Sequence, residues 1–194
     1  MKTTLLLMLV TLMATSASAN DLCPEFANMV SVISKDGKAS KELPFEKAVA
    51  KQKKKGIYRG HDSSVRLEGP HAKVAITTPV SFAFKPFSTA FHPAQQIELY
   101  PFEAKKKYRE LVVGGTNMWG GSKNRKATDN SIPLSFKKMS DGCYKVTTDV
   151  KLPKGEYAFS LASVGMGSSA DVKGSQAGLG STVAGQVWVG FVVK

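Results

Sequence analysis

The 194-residue chain is divided into short runs of β-forming residues, each ended by a turn signal, and this punctuation leaves few architectures open. Residues 29–34 (MVSVIS) run into Lys35-Asp36-Gly37-Lys38, where Asp-Gly is a strong hairpin signal. The expected partner is 40–45, held to an edge position by Pro44. The run at 65–68 stops at Gly69-Pro70, and 73–77 and 80–84 alternate on either side of Pro79. Residues 96–100 and 108–113 flank Lys105-Lys106-Lys107, an expected hairpin tip. Runs at 132–136, 143–147, 157–161 and 187–193 complete the series. Spacing of about 8–12 residues between short strands predicts an antiparallel sandwich or small barrel. Only the last run approaches the roughly 9–11 residues of a transmembrane barrel strand, which disfavours an outer-membrane barrel. Residues 47–55 (KAVAKQKKK) hold too few apolar positions to set a period and read as either a short helix or a strand.

One local pattern sharpens this reading. Leu152-Pro153-Lys154-Gly155-Glu156-Tyr157 resembles the entry to a tyrosine corner of immunoglobulin-like and fibronectin-type domains. There, a Tyr at the start of the penultimate strand bonds back to the preceding loop. The resemblance spans six residues and implies a fold only. Phe159 stands where a true immunoglobulin domain carries its second Cys. The expected fold is all-β, an immunoglobulin-like antiparallel β-sandwich over residues 61–194. An N-terminal β-hairpin and basic extension at 20–60 precedes it, and residues 1–19 form a leader.

That leader has three parts in order. Lys2 supplies a positive start, residues 5–13 (LLLMLVTLM) an apolar run, and Ala17-Ser18-Ala19 the small residues a signal peptidase requires. The expected cut falls between Ala19 and Asn20. The run is far shorter than the ~20 residues of a membrane-spanning helix, so the mature chain is expected to lack a transmembrane segment and to be periplasmic or extracellular. An oxidising compartment favours a Cys23–Cys143 bridge, which the chain-entropy model credits with roughly 4–5 kcal/mol; the alternative is two free thiols. Cysteines this far apart form neither a Cys-x-x-Cys redox pair nor a Cys-based zinc site.

The charge is lopsided, with 27 Lys+Arg against 15 Asp+Glu, a formal net charge of +12. Lys53-Lys54-Lys55, Lys105-Lys106-Lys107 and Lys123-Asn124-Arg125-Lys126 are clusters, the last in a Gly-rich stretch at 114–130 that also holds Trp119. A solvated lysine surface that keeps strand edges unpaired is the simple explanation. The sharper one is a contact surface for anionic partners: lipid head groups, acidic polysaccharide or an acidic protein. Only four of the basic residues are arginines. Lysine is a hydrated point charge, whereas bidentate phosphate recognition favours arginine, so diffuse attraction fits better than specific readout. Export, and the lack of basic residues interleaved with stacking aromatics, disfavour nucleic acid.

Motifs for catalysis are sparse. His61, His71 and His92 sit beside turn residues, without metal-ligand spacing, so no metal or cofactor is expected. Ser135 and Lys138 match Ser-x-x-Lys, but on a strand rather than the helix this chemistry needs. Residues 115–123 imitate a phosphate loop, with Gly121 where the Lys belongs. The expected function is an exported, non-enzymatic, envelope-associated binding module. The alternative is a secreted hydrolase whose residues converge only in the fold.

Overall fold

The computed structural model describes residues 22–54, 61–116, 122–123, 130–140, 142–162 and 186–194. The leader at 1–19 with its Ala19–Asn20 junction lies outside them, as do Lys55, Trp119, Arg125 and Lys126. The described chain is all-β, built from antiparallel sheets, one of which curls into a half-barrel.

The first sheet has the strand order β11 (Leu134–Ser140), β12 (Cys143–Thr148), β7 (Ser81–Lys85), β1 (Met29–Ile33), β2 (Ala39–Glu42). Hairpin β1–β2 closes where Asp-Gly predicts it. Gly37 takes the left-handed conformation (φ +74°), and the Ser34 N–H bonds the Lys38 carbonyl at 2.9 Å. The second sheet runs β3 (Phe45–Glu46), β14 (Gln186–Val193), β13 (Gly155–Ala162), β8 (Ile97–Ala104), β9 (Tyr108–Thr116), β5 (His61–Glu68), β4 (Ala48–Lys54). Two short strands join it: β10 (Ser122–Lys123) beside β9, and β6 (Ala75–Ile76) parallel to β14. Within 47–55, Ala48–Lys54 therefore form a strand rather than a helix, and residues 29–54 contribute strands to both sheets.

The curl follows from connectivity. β3 and β4 lie at opposite ends of the second sheet, yet only Lys47 separates them in sequence. Segment 45–54 thus pairs with β14 through β3 and with β5 through β4, bringing the two ends of the sheet together.

Strands β13 and β14 are buried on both faces, which explains why they read as nearly continuous apolar runs rather than as alternations. One face carries Tyr157, Phe159, Leu161, Val189, Phe191 and Val193 into the main core, against Val30, Val32, Phe82, Phe84 and Val146 of the first sheet. Phe82 meets Phe159 edge-on at 4.9 Å, a favoured aromatic geometry. The other face sends Ala158 and Trp188 into the curl, with Tyr100 and Phe102 of β8, Val65 and Leu67 of β5, and Leu111 and Val113 of β9. The Tyr157 hydroxyl donates to the Pro153 carbonyl at 2.9 Å, the bond expected of a tyrosine corner.

Strand length corrects one expectation. β9 has nine residues, and β5, β8, β13 and β14 have eight. Length alone therefore does not separate this fold from a transmembrane barrel. The outward face of the curl is more informative, because it carries exposed Lys51 and Lys53 and partly exposed Arg66 and Glu110 where a lipid-facing barrel is apolar.

Cys23 and Cys143 are bonded across 120 residues of sequence. Together with Leu22 and Met139 they cover the outer face of the first sheet at Ile33 and Ala83. Replacing both cysteines with serine is expected to cost about 2–5 kcal/mol of stability. The check is a lower urea midpoint in the variant, reproduced by adding reductant to the wild type.

Candidate functional site

The structure places the lysine clusters at two poles. Lys105, Lys106 and Lys107 form the β8–β9 turn, closed by a bond from the Lys105 N–H to the Tyr108 carbonyl at 2.8 Å. Lys105 pairs with Glu103, and Lys106 and Lys107 are exposed. Close by, the Arg66 guanidinium lies 4.2 Å over the Tyr108 ring and bonds Glu110 at 2.7 Å, so this pole mixes both signs.

Lys53 and Lys54 lie at the other end of the curl. Cross-strand register runs Lys53–Asp62–Gly115–Lys123 through β4, β5, β9 and β10. Three strand spacings separate the backbones of Lys53 and Lys123 by at most roughly 14 Å, although they are far apart in sequence. Tyr108 and Gly115, which mark the two poles on β9, are seven residues apart, or roughly 23 Å of extended chain. The structure therefore brings Lys53, Lys54 and Lys123 to one pole and leaves Lys105–Lys107 at the other. Lys51 and Lys53 project to the outer face, because Ala48, Ala50 and Gln52 share register with Leu67, Val65 and Ser63 on the inner one.

A second group of charges is buried, and the sequence reading did not single it out. Arg109, 1% exposed, enters the curl from β9. Its Nη2 donates to Glu46 Oε2 and, at 3.2 Å, to the Glu68 carbonyl; its Nε donates to the Gly69 carbonyl at 3.3 Å. Nη1 lies 3.9 Å from Glu156 Oε2. Glu156 also accepts from the Ala72 N–H at 2.9 Å and from His71 Nδ1 at 2.9 Å. One guanidinium thus ties together β9, β3, β13 and the chain just after β5. Gly190 of β14 makes room for it: a Cβ there would stand 2.5 Å from Glu46 Oε1 and 2.7 Å from Arg109 Nη1.

Two sequence signals could have found this group. Arg109 shares strand parity with the buried Leu111 and Val113, so period-2 alternation points it inward. Gly190 interrupts the otherwise apolar run VWVGFVV, and a glycine inside a strand marks a close approach.

The remaining candidates are dispersed. Ser135 donates to Asp149, and being three positions apart Ser135 and Lys138 face opposite sides of β11. His92 caps the 3-10 turn at Pro93–Gln95 through the Ala94 N–H. His71 meets a carboxylate, but Glu156, its partner, is already committed to Ala72 and Arg109. Among the described residues no group of three or more His, Cys, Asp or Glu side chains is arranged to hold a metal ion. No helix of the described chain is long and apolar enough to cross a membrane. No protein-family model, curated protein or solved structure matches the chain.

Burial raises the Glu46 carboxyl above its ordinary 4.5, outweighing the hydrogen bond and charge of Arg109 that lower it. The folded protein therefore holds this proton more tightly than the unfolded chain does. The group's contribution to stability is fully present below 4.5 and is lost as pH rises through the folded value. Glu110 has the opposite sign. Burial raises it, but hydrogen bonds from Arg66 and Ser64 outweigh that and leave it lowered, so its contribution is present above 4.5 and lost in acid. Glu46→Gln is expected to flatten the decline of the urea midpoint from pH 4.5 upward; an unchanged slope would disprove the assignment.

Substitutions within the group have separate expected costs. Arg109→Met leaves two nearly buried carboxylates without their cation and is expected to cost about 3–5 kcal/mol. Gly190→Ala crowds side chains locked by one another and is expected to cost about 1–3 kcal/mol. Chemical denaturation at neutral pH measures both.

Proposed function

We propose that the chain is an exported, non-enzymatic binding protein that associates with anionic components of the cell envelope through its lysine-bearing pole. The observation that carries this reading is the cross-strand row that sets Lys53 and Lys123 at one end of the curl, with Lys51 and Lys54 alongside. Lysines gathered at one end of a sheet, with Asp62 the single carboxylate in their row, favour a local positive potential, which suits an extended anionic partner better than a small ligand. Lysine predominance favours diffuse, salt-sensitive attraction over bidentate recognition. Acidic head groups and acidic polysaccharide supply such partners, and an acidic protein is the third candidate. Export rests on the three-part leader at 1–19, and the Cys23–Cys143 bond accords with it. We read the sandwich half as immunoglobulin-like, which the Tyr157–Pro153 hydrogen bond supports.

The hydrolase reading gains little support from His71 and Glu156. Their contact is the nearest approach to an acid–base pair among the described side chains, but this carboxylate already serves Ala72 and Arg109.

Charge reversal tests the proposal. Lys51→Glu combined with Lys53→Glu is expected to weaken binding to dextran sulfate roughly tenfold or more at low salt, and hardly at all at high salt where exposed charges are screened. Lys106→Glu combined with Lys107→Glu, at the opposite pole, is expected to matter less. Retention that is equal for all three proteins at both salt concentrations would remove the idea.

A further inference from the structure

The lysine-bearing pole is also where two exposed aromatic rings stand on braced loops. β8 begins there at Ile97 and β13 ends there at Ala162, at the same end of the curl where β5 begins and β9 finishes. Two loops meet at Ala162. The Asn28 side-chain amide donates to the Ala162 carbonyl at 3.1 Å, and the Ala162 N–H donates to the Gln96 carbonyl at 2.9 Å. Phe26, two residues before Asn28, is 63% exposed, and Phe91, five residues before Gln96, is 54% exposed.

Neither ring is exposed because its loop is loose. Gln96 is 2% exposed, and its side chain is used entirely on the loop: Nε2 donates to the Ser88 carbonyl at 2.8 Å and to the Phe91 carbonyl at 3.0 Å, while Oε1 accepts from the Ser88 N–H at 3.3 Å. The Phe26 loop is held by the Cys23–Cys143 bond and by Lys85 Nζ, which donates to the Glu25 carbonyl at 2.7 Å. Phe87 lies 6.4 Å from Phe91 between ring centres and adds a partly buried aromatic beneath it. A single exposed aromatic is ordinary. Two on hydrogen-bonded loops at the strand ends where Lys53 and Lys123 also lie put exposed apolar and basic residues at one end of the molecule, the combination that binds the interface of an anionic bilayer.

We propose that this pole docks on an anionic lipid bilayer, the rings of Phe26 and Phe91 entering the boundary between head groups and acyl chains while the lysines face lipid phosphates. This rests on the reading of the basic pole as the contact surface and adds the class of partner. Apolar insertion and charge attraction separate experimentally, because salt screens only the second.

The test compares vesicles of phosphatidylglycerol with dextran sulfate, a polyanion that offers no apolar phase. Phe26→Ser combined with Phe91→Ser is expected to reduce partitioning onto the vesicles roughly tenfold, to leave dextran sulfate binding unchanged, and to keep the wild-type urea midpoint. Phe26→Tyr combined with Phe91→Tyr retains rings suited to the interface and is expected to keep vesicle binding. Wild-type partitioning by the serine variant overturns the inference, as does an equal loss on both partners. Wild-type protein that binds dextran sulfate but not the vesicles also overturns it while leaving the charge reading intact. Binding to neither removes both.

Discussion

The second sheet depends on one buried guanidinium. A sheet curled into a half-barrel must hold its interior at a set width, and here Arg109 spans that interior, from β9 to Glu46 on β3 and toward Glu156 on β13. Burying charge is costly unless the partners are close, and Arg109 adds to Glu46 the two carbonyls at Glu68 and Gly69, while its Nη1 makes no hydrogen bond and only approaches Glu156 at 3.9 Å. Gly190 is part of the same arrangement, since the space a side chain would occupy is taken by the ion pair. The chain exchanges a methyl group's worth of packing on β14 for a bond that fixes where segment 45–54 turns from one edge to the other.

Sandwich and curl are not two units side by side, because they share β13 and β14. Phe159 and Phe191 serve the main core while Ala158 and Trp188, on the same strands, serve the interior of the curl. Disturbing the backbone of either strand disturbs both cores. The loops at the lysine-bearing pole are braced from the same place, as Ala162 is the last residue of β13. A two-faced strand pair thus supplies the platform from which the loops at that pole extend.

Much of this was legible in the sequence, but unevenly. Hairpin β1–β2 was marked by Asp-Gly, the β8–β9 turn by three lysines between β-forming runs, and the tyrosine corner by its Pro-x-Gly-x-Tyr entry. The Cys23–Cys143 pairing was anticipated from compartment and count. The curl was not readable, because it depends on a change of partner at Lys47, and a chain moving from one sheet edge to another leaves no periodic trace in ten residues. Nor could linear clusters reveal which lysines would meet. Lys53 joins Lys123 through register in three intervening pairings, while Lys105–Lys107, equally conspicuous in sequence, are carried to the opposite end. Arg109 and Glu156 did carry a signal, their strand parity, but charged residues at inward positions are uncommon enough that alternation alone does not persuade.

Segment 45–54 has one more consequence, for the order in which the molecule can be completed. Its β4 half can pair with β5 as soon as β5, which ends at Glu68, exists, but its β3 half must wait for β14 at the far end of the chain. Contacts of such long range close late, after the intervening loop entropy has been overcome. Until then the nascent edge at Phe45 has no neighbour and could recruit a strand from another copy. Lys47, two residues along the chain, places a charge beside that edge, which discourages self-association during the wait.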